Sequence, residues 1–255
     1  MPAKLKLHTF ALSHFSEKTR WMLDAAGVDY IEEPWVPFLH VFKALRKGGR
    51  GATTVPVLDT GAGCVQDSTR ILFWLEKHRA PLALLPTDAA LRAEVLAIED
   101  RFDRVGRYVI RYAYSVVLDN PQGVVALWTI GATPMQARIV RLGFPLMLKL
   151  LRRKFKLDNP AAVATAEQQF GEALDWLAAQ VKDGRQFLVG QQLSAADITA
   201  AALLAPIVCP DEHPVYSRAD YRKGVVALHN RWSAHPGAAW VRGIYRAHRQ
   251  SAQNL

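Results

Sequence analysis

The sequence predicts an α/β segment followed by a larger all-helical one, a fold class of α/β plus all-α. Three observations carry this. Apolar residues alternate in short β-type runs at Leu5–Phe10, Val28–Glu33, Thr53–Asp59 and Cys64–Gln66, and not convincingly afterwards. A proline-punctuated stretch, from Ala80-Pro81 to Pro86-Thr87-Asp88, then interrupts the chain. Beyond it, apolar positions recur at helical spacing as far as His248. The expected division is residues 1–80 and residues 88–255.

The first run, Leu5-Lys6-Leu7-His8-Thr9-Phe10, reads as a strand, and Trp21-Met22-Leu23-Asp24-Ala25-Ala26-Gly27 reads as a helix stopped by glycine. Between them lies Leu12-Ser13-His14-Phe15-Ser16-Glu17-Lys18-Thr19-Arg20. A hydroxyl there sits where a loop becomes a helix, a place whose free N–H groups and dipole favour an anion. Val28–Glu33 would pair in parallel with the first strand to close a βαβ unit. Pro34 to Gly51 is irregular, with a short helix around His40–Arg46. Pro56 interrupts the next run and demotes it to an edge or marks a special peptide. The turn Asp59-Thr60-Gly61-Ala62-Gly63 makes it a hairpin with Cys64–Gln66, and Asp67-Ser68 caps a helix. Further helices are expected at Ala89–Tyr114, Ala161–Lys182, Ala195–Ala205, Arg222–Ala234 and Gly237–His248. Val124–Lys156, broken by Pro134, Gly143 and Pro145, supplies one or two more.

Half of the 255 residues are hydrophobic, so a sizeable core is available. No apolar run reaches the ~18 residues of a membrane span, and no signal peptide is visible. Cys64 and Cys209 form no CxxC pair, and a reducing, cytoplasmic setting is expected. The net charge is +9. Its Lys and Arg residues are scattered and accompany no nucleic-acid motif, so a solvated basic surface is expected rather than nucleic-acid binding. His213, His229, His235 and His248 show no metal-ligand spacing, and no metal is expected.

Four motifs in order carry a family resemblance: the Ser13–Arg20 loop-to-helix stretch, Thr54-Val55-Pro56-Val57, Asp67-Ser68 opening a helix, and Phe187–Ile198 with Ser194 and Asp197 at capping-box spacing. Together they resemble the cytosolic glutathione S-transferase superfamily, of the serine- or cysteine-containing type. The resemblance implies a thioredoxin-like N-terminal domain, a larger all-helical C-terminal domain and a homodimer. The tail Trp240–Arg249 is similar to the closing helix of a bacterial subgroup with an expanded helical region.

The resemblance also implies a site. Ser13 would contact the glutathione sulfur as the catalytic residue, with Ser16 its rival. A serine can stabilise a thiolate but cannot form a mixed disulfide. His14 stands where the cysteine-containing classes often have proline, and reads as a solvent-facing loop histidine. Phe15, Val55, cis-Pro56, Asp67 and Ser68 would bind glutathione, Val55 through its backbone, Ser68 at the γ-glutamyl carboxylate and Asp67 at the ammonium. A cation for the glycine carboxylate would come from His40, Lys43, Lys47 or Arg50, with Lys43 preferred.

A hydrophobic electrophile is the implied second substrate. Tyr108 and Tyr112, then Tyr114 and Trp128, are candidates for its pocket. Leu146–Lys156 places Lys149, Arg152, Arg153 and Lys156 on one face and Met147, Leu150, Leu151 and Phe155 towards the other. The preferred reading is an apolar stripe in the core with a solvated basic face, ahead of peripheral membrane contact. The alternatives are a glutathione-dependent isomerase or peroxidase, or a non-catalytic protein of the same fold that binds a partner or an anionic membrane surface.

Overall fold

The computed structural model describes residues 4–48, 53–79 and 82–249. The candidate cation Arg50 lies outside them. Strand β1 (Leu5–Thr9), helix α1 (His14–Ala25) and strand β2 (Tyr30–Pro34) form the βαβ unit, β1 and β2 pairing in parallel with Leu7 opposite Glu32. Helix α2 (His40–Gly48) leads to the hairpin β3 (Val57–Asp59) and β4 (Cys64–Gln66), and α3 (Ser68–Arg79) follows. The sheet order is β2-β1-β3-β4, with β3 antiparallel to both neighbours. This mixed sheet with its helices is thioredoxin-like.

The rest of the described chain is helical: α4 (Ala89–Val117), α5 (Pro121–Trp128), α6 (Pro134–Phe155), α7 (Pro160–Gln180), α8 (Ala195–Val208), α9 (Ala219–Trp232) and α10 (Pro236–His248). The starts of α4 to α8 follow from local chemistry. Asp88, Asn120, Thr133 and Asn159 cap α4 to α7 through their side chains, and Pro121, Pro134 and Pro160 occupy first-turn positions where no N–H is needed. Every residue of α8 is buried, which suits a helix that is apolar on all sides. At its start the Asp197 carboxylate accepts from Leu188 N, Ser194 N and Ser194 Oγ at 2.7–2.8 Å. The capping box of Ser194 and Asp197 is present, and the Ser194 hydroxyl also donates to the carboxylate.

Pro145 lies inside α6 without ending it, so residues 134–155 form one helix. No helix among the described residues is long and apolar enough to cross a membrane.

Helix α1 joins the two parts. Its residues Ser16 to Leu23 are all buried, including Glu17, Lys18 and Arg20. Burying such charges is costly unless they are paired, and each is. Arg20 Nε donates to both Glu32 oxygens on β2, at 2.8 and 3.0 Å. Lys18 Nζ donates to Glu99 Oε1 at 2.5 Å and Asp103 Oδ1 at 2.6 Å on α4. Glu17 Oε1 accepts from Arg249 Nε at 2.8 Å, just past the end of α10.

Candidate active site

Ser13 ends the β1–α1 loop as the cap of α1, its backbone extended and its Oγ accepting from Ser16 N at 3.1 Å. Glu17 N donates to Ser13 O, which leaves the N–H groups of His14 and Phe15 as first-turn donors without partners among the described residues. Tyr216 Oη donates to Leu12 O at 2.9 Å and steadies the loop from the helical part.

His14 is buried, not solvent-facing. Its Nε2 lies 2.9 Å from Gly106 O on α4, and burial lowers its pKa to about 4 despite that hydrogen bond. It is a neutral packing residue near pH 7. Gly106 makes the approach possible, because an added Cβ would meet Leu203 Cδ1 and Phe15 Cζ at 3.1 Å and His14 Nε2 at 3.3 Å.

The Val55–Pro56 peptide is cis, and both residues are buried between β3 and α2. Nearby carbonyls are engaged: Thr53 O by His40 Nε2 at 2.8 Å, Thr54 O by Gln66 Nε2 at 2.6 Å, and Pro56 O by Asp67 N at 3.3 Å. Asp67 has φ 89°, a left-handed conformation that short polar side chains tolerate better than most. From there Oδ1 accepts from Thr69 N at 3.0 Å and Arg70 N at 3.1 Å, capping α3. Among the described residues this leaves the Ser68 N–H as the unpartnered donor of that turn. Thr69 Oγ1 donates to Glu99 Oε1 at 2.6 Å, the oxygen that also receives Lys18. One α4 carboxylate thus fixes the starts of both α1 and α3.

A cavity of about 630 Å³ opens between these elements and the helical part. Ser13, Phe15, Val55, Pro56, Asp67 and Ser68 all line it. Ser16 does not: it is fully buried in α1. The far wall is apolar, formed by Tyr114, Leu127, Trp128, Ile130, Leu151 and Phe155. Tyr114 and Phe155 meet edge to face at 5.2 Å, and burial pushes the Tyr114 hydroxyl up to about 12.

Three expected residues lie elsewhere. Lys43 is exposed on α2 and is not part of the cavity wall. Tyr112 faces the helical core, where its Oη accepts from Trp232 Nε1 at 3.3 Å. Tyr108 lines a separate groove between α4 and α7. Helical spacing alone does not say which face of α4 meets α1 and α3. Tyr114 and Trp128, the other aromatic candidates, do reach the wall.

Three charged wall residues had no assigned role in the sequence: Asp103, Arg107 and Lys154. Asp103 places a second carboxylate on the wall that holds Asp67; burial raises its pKa even with Lys18 beside it. Arg107 on α4 and Lys154 on α6 are both exposed cations. Lys47 is instead paired with Asp59, and burial lowers the His40 pKa to about 4, leaving it uncharged. The arrangement can thus hold a zwitterionic, extended ligand: anion-binding helix starts at Ser13 and Ser68, carboxylates at Asp67 and Asp103, cations at Arg107 and Lys154. An apolar chamber adjoins it.

Comparison with known proteins agrees with this fold. Residues 7–82 match the family model described as the glutathione S-transferase N-terminal domain, and residues 160–228 match the glutathione S-transferase C-terminal domain. No match is found among curated proteins. Among solved structures, a glutathione S-transferase from Rhodospirillum rubrum F11 is 23% identical, with TM-score 0.58 over 94% of this chain and 87% of that one. A glutathione S-transferase from Methylobacillus flagellatus KT, solved with glutathione bound, is 16% identical, with TM-score 0.65 over 99% and 100%. The beta-etherase LigF from Sphingobium sp. strain SYK-6 is 20% identical, with TM-score 0.60 over 94% and 98%. Likeness at these identities speaks for the fold, not the reaction.

Proposed function

Because the chain belongs to the glutathione S-transferase superfamily, we propose that it binds glutathione in the cavity at Ser13 and conjugates it, through its sulfur, to a hydrophobic electrophile. The observation that supports this most directly is the convergence of Ser13, Val55, Pro56, Asp67 and Ser68, from three separate stretches, on one cavity with an apolar far wall.

In this reading the glutathione sulfur lies at the start of α1. The Ser13 hydroxyl and the helix dipole favour the thiolate over the thiol. Val55 offers its backbone to the cysteinyl unit, and Phe15 flanks the sulfur end. Ser68 receives the γ-glutamyl carboxylate at the start of α3, while Asp67 and Asp103 receive the ammonium. Lys154 and Arg107 replace Lys43 as the cations for the glycine carboxylate. The thiolate lone pair attacks an electrophilic carbon held against Tyr114, Trp128 and Phe155. A carbon–sulfur bond forms; a halide departs with its bonding pair, whereas an α,β-unsaturated carbonyl shifts its π pair to oxygen and takes up a proton from solvent. The same reading takes the protein as a cytoplasmic homodimer with domains 1–80 and 88–255.

A conjugation assay tests it. Glutathione is supplied with an activated aryl halide, a benzylic halide and an α,β-unsaturated carbonyl, and products are identified by mass. The S-conjugate is expected with at least one of them, in amounts that fall about tenfold or more in Ser13→Ala. Absence of any enzyme-dependent conjugate would overturn the proposed reaction.

A further inference from the structure

Helix α6 carries two apolar faces. Val140, Phe144, Met147, Leu151 and Phe155 pack against the protein. On the opposite face Met135, Ile139, Leu142, Leu146 and Leu150 are exposed, Leu142 at 75% and Met135 at 71%. At 3.6 residues per turn these five side chains fall within an arc about 80° wide and run about 22 Å along the helix. The sequence-based reading, an apolar stripe in the core and a solvated basic face, accounts for the first face only. A contiguous exposed apolar stripe marks a surface that something covers.

The charges beside the stripe decide what covers it. Arg138, Arg141, Lys149 and Arg153 are exposed along it. The sequence has no Asp or Glu from residue 120 to residue 157. A second copy docked on the same stripe would bring these cations face to face, and like charges oppose such pairing. An anionic bilayer matches both features, taking apolar side chains between its acyl chains and cations at its headgroup phosphates. We propose that the exposed stripe of α6 docks this protein on the surface of an anionic lipid bilayer. The contact is peripheral and does not depend on glutathione binding.

Vesicle flotation of the 255-residue chain tests this. Vesicles of phosphatidylcholine alone are compared with vesicles containing phosphatidylglycerol, at low and high salt. Co-flotation is expected with the anionic vesicles only, falling as salt rises. Arg138→Gln/Lys149→Gln should lower the bound fraction roughly tenfold or more. Leu142→Glu/Leu146→Glu should abolish binding while leaving the circular dichroism spectrum unchanged, because both leucines are exposed. No co-flotation with anionic vesicles, equal binding to neutral ones, or full binding by the leucine variant would overturn the proposal. So would a wild type that ignores vesicles and whose dimer mass is halved by the leucine substitutions, since the stripe would then belong to a second copy.

Discussion

Ser13 Oγ accepts a hydrogen bond from Ser16 N at 3.1 Å, so the Ser13 hydroxyl proton is free to point elsewhere. Ser13 lines the cavity, whereas Ser16 is fully buried and its Oγ has no partner among the described residues. The geometry therefore separates two serines that the sequence left as rivals for the sulfur.

Ser13→Ala should lower kcat/KM for conjugation about 10- to 100-fold, the loss of one donor to a reacting anion. Its cap is also lost, at about 1 kcal/mol of stability. Ser16→Ala should change kcat/KM by less than about threefold. Steady-state kinetics of the two variants decides the assignment, and the reverse ranking would transfer the role to Ser16.

Asp67 caps α3, and substitution can separate this from the ammonium-binding role proposed for it. Asparagine keeps the cap of α3 and tolerates the left-handed backbone at this position. Asp67→Asn should therefore leave the melting temperature nearly unchanged while weakening glutathione binding about tenfold, through loss of the charged partner for the ammonium. Asp67→Ala should in addition lose about 0.5–2 kcal/mol of stability. Differential scanning calorimetry with and without glutathione reads both effects.

Lys154→Gln should weaken glutathione binding several-fold, with a smaller effect at high salt. Lys43→Gln, remote from the cavity wall, should leave it unchanged. A titration in which Lys43→Gln has the larger effect would restore the sequence-based choice.

Glu17 is buried between Arg249 and Arg20, with His213 nearby. Burial alone would raise its pKa, but Arg249 above all, then His213 and Arg20, brings it down to about 2 from 4.5. The stabilisation by a depressed carboxyl is complete above its unfolded pKa and is lost as pH falls towards the folded one. Urea-unfolding free energy should thus fall between about pH 4.5 and pH 2, and Glu17→Gln should flatten that part of the profile. Removing Arg249 leaves a buried carboxylate short of its main partner, so Arg249→Ala should cost about 3–5 kcal/mol at neutral pH. A loss under ~1 kcal/mol would show that the pair contributes little.

Local patterns carried much of the fold. The alternation at Leu5–Phe10 and Val28–Glu33, the turn at Asp59–Gly63 and the cap at Asp67 are all short-range signals, and the corresponding elements form. The motif residues of the proposed glutathione site were legible for the same reason, since each sits at a turn or a helix start. Long-range facts were not legible. The burial of His14 depends on Gly106, 92 residues away. The pairing of Glu17 depends on Arg249, 232 residues away. Lys154 reaches the cavity only because α6 continues through Pro145 and folds back on the site, and Tyr112 misses it because α4 turns that face to Trp232.

Calorimetric titration with glutathione tests the central claim most directly. Saturable binding of one glutathione per chain, in the micromolar to millimolar range, is predicted for the wild type, with clear weakening in Asp67→Asn. No saturable heat from the folded wild-type protein, or binding unaffected by Asp67→Asn, would contradict it.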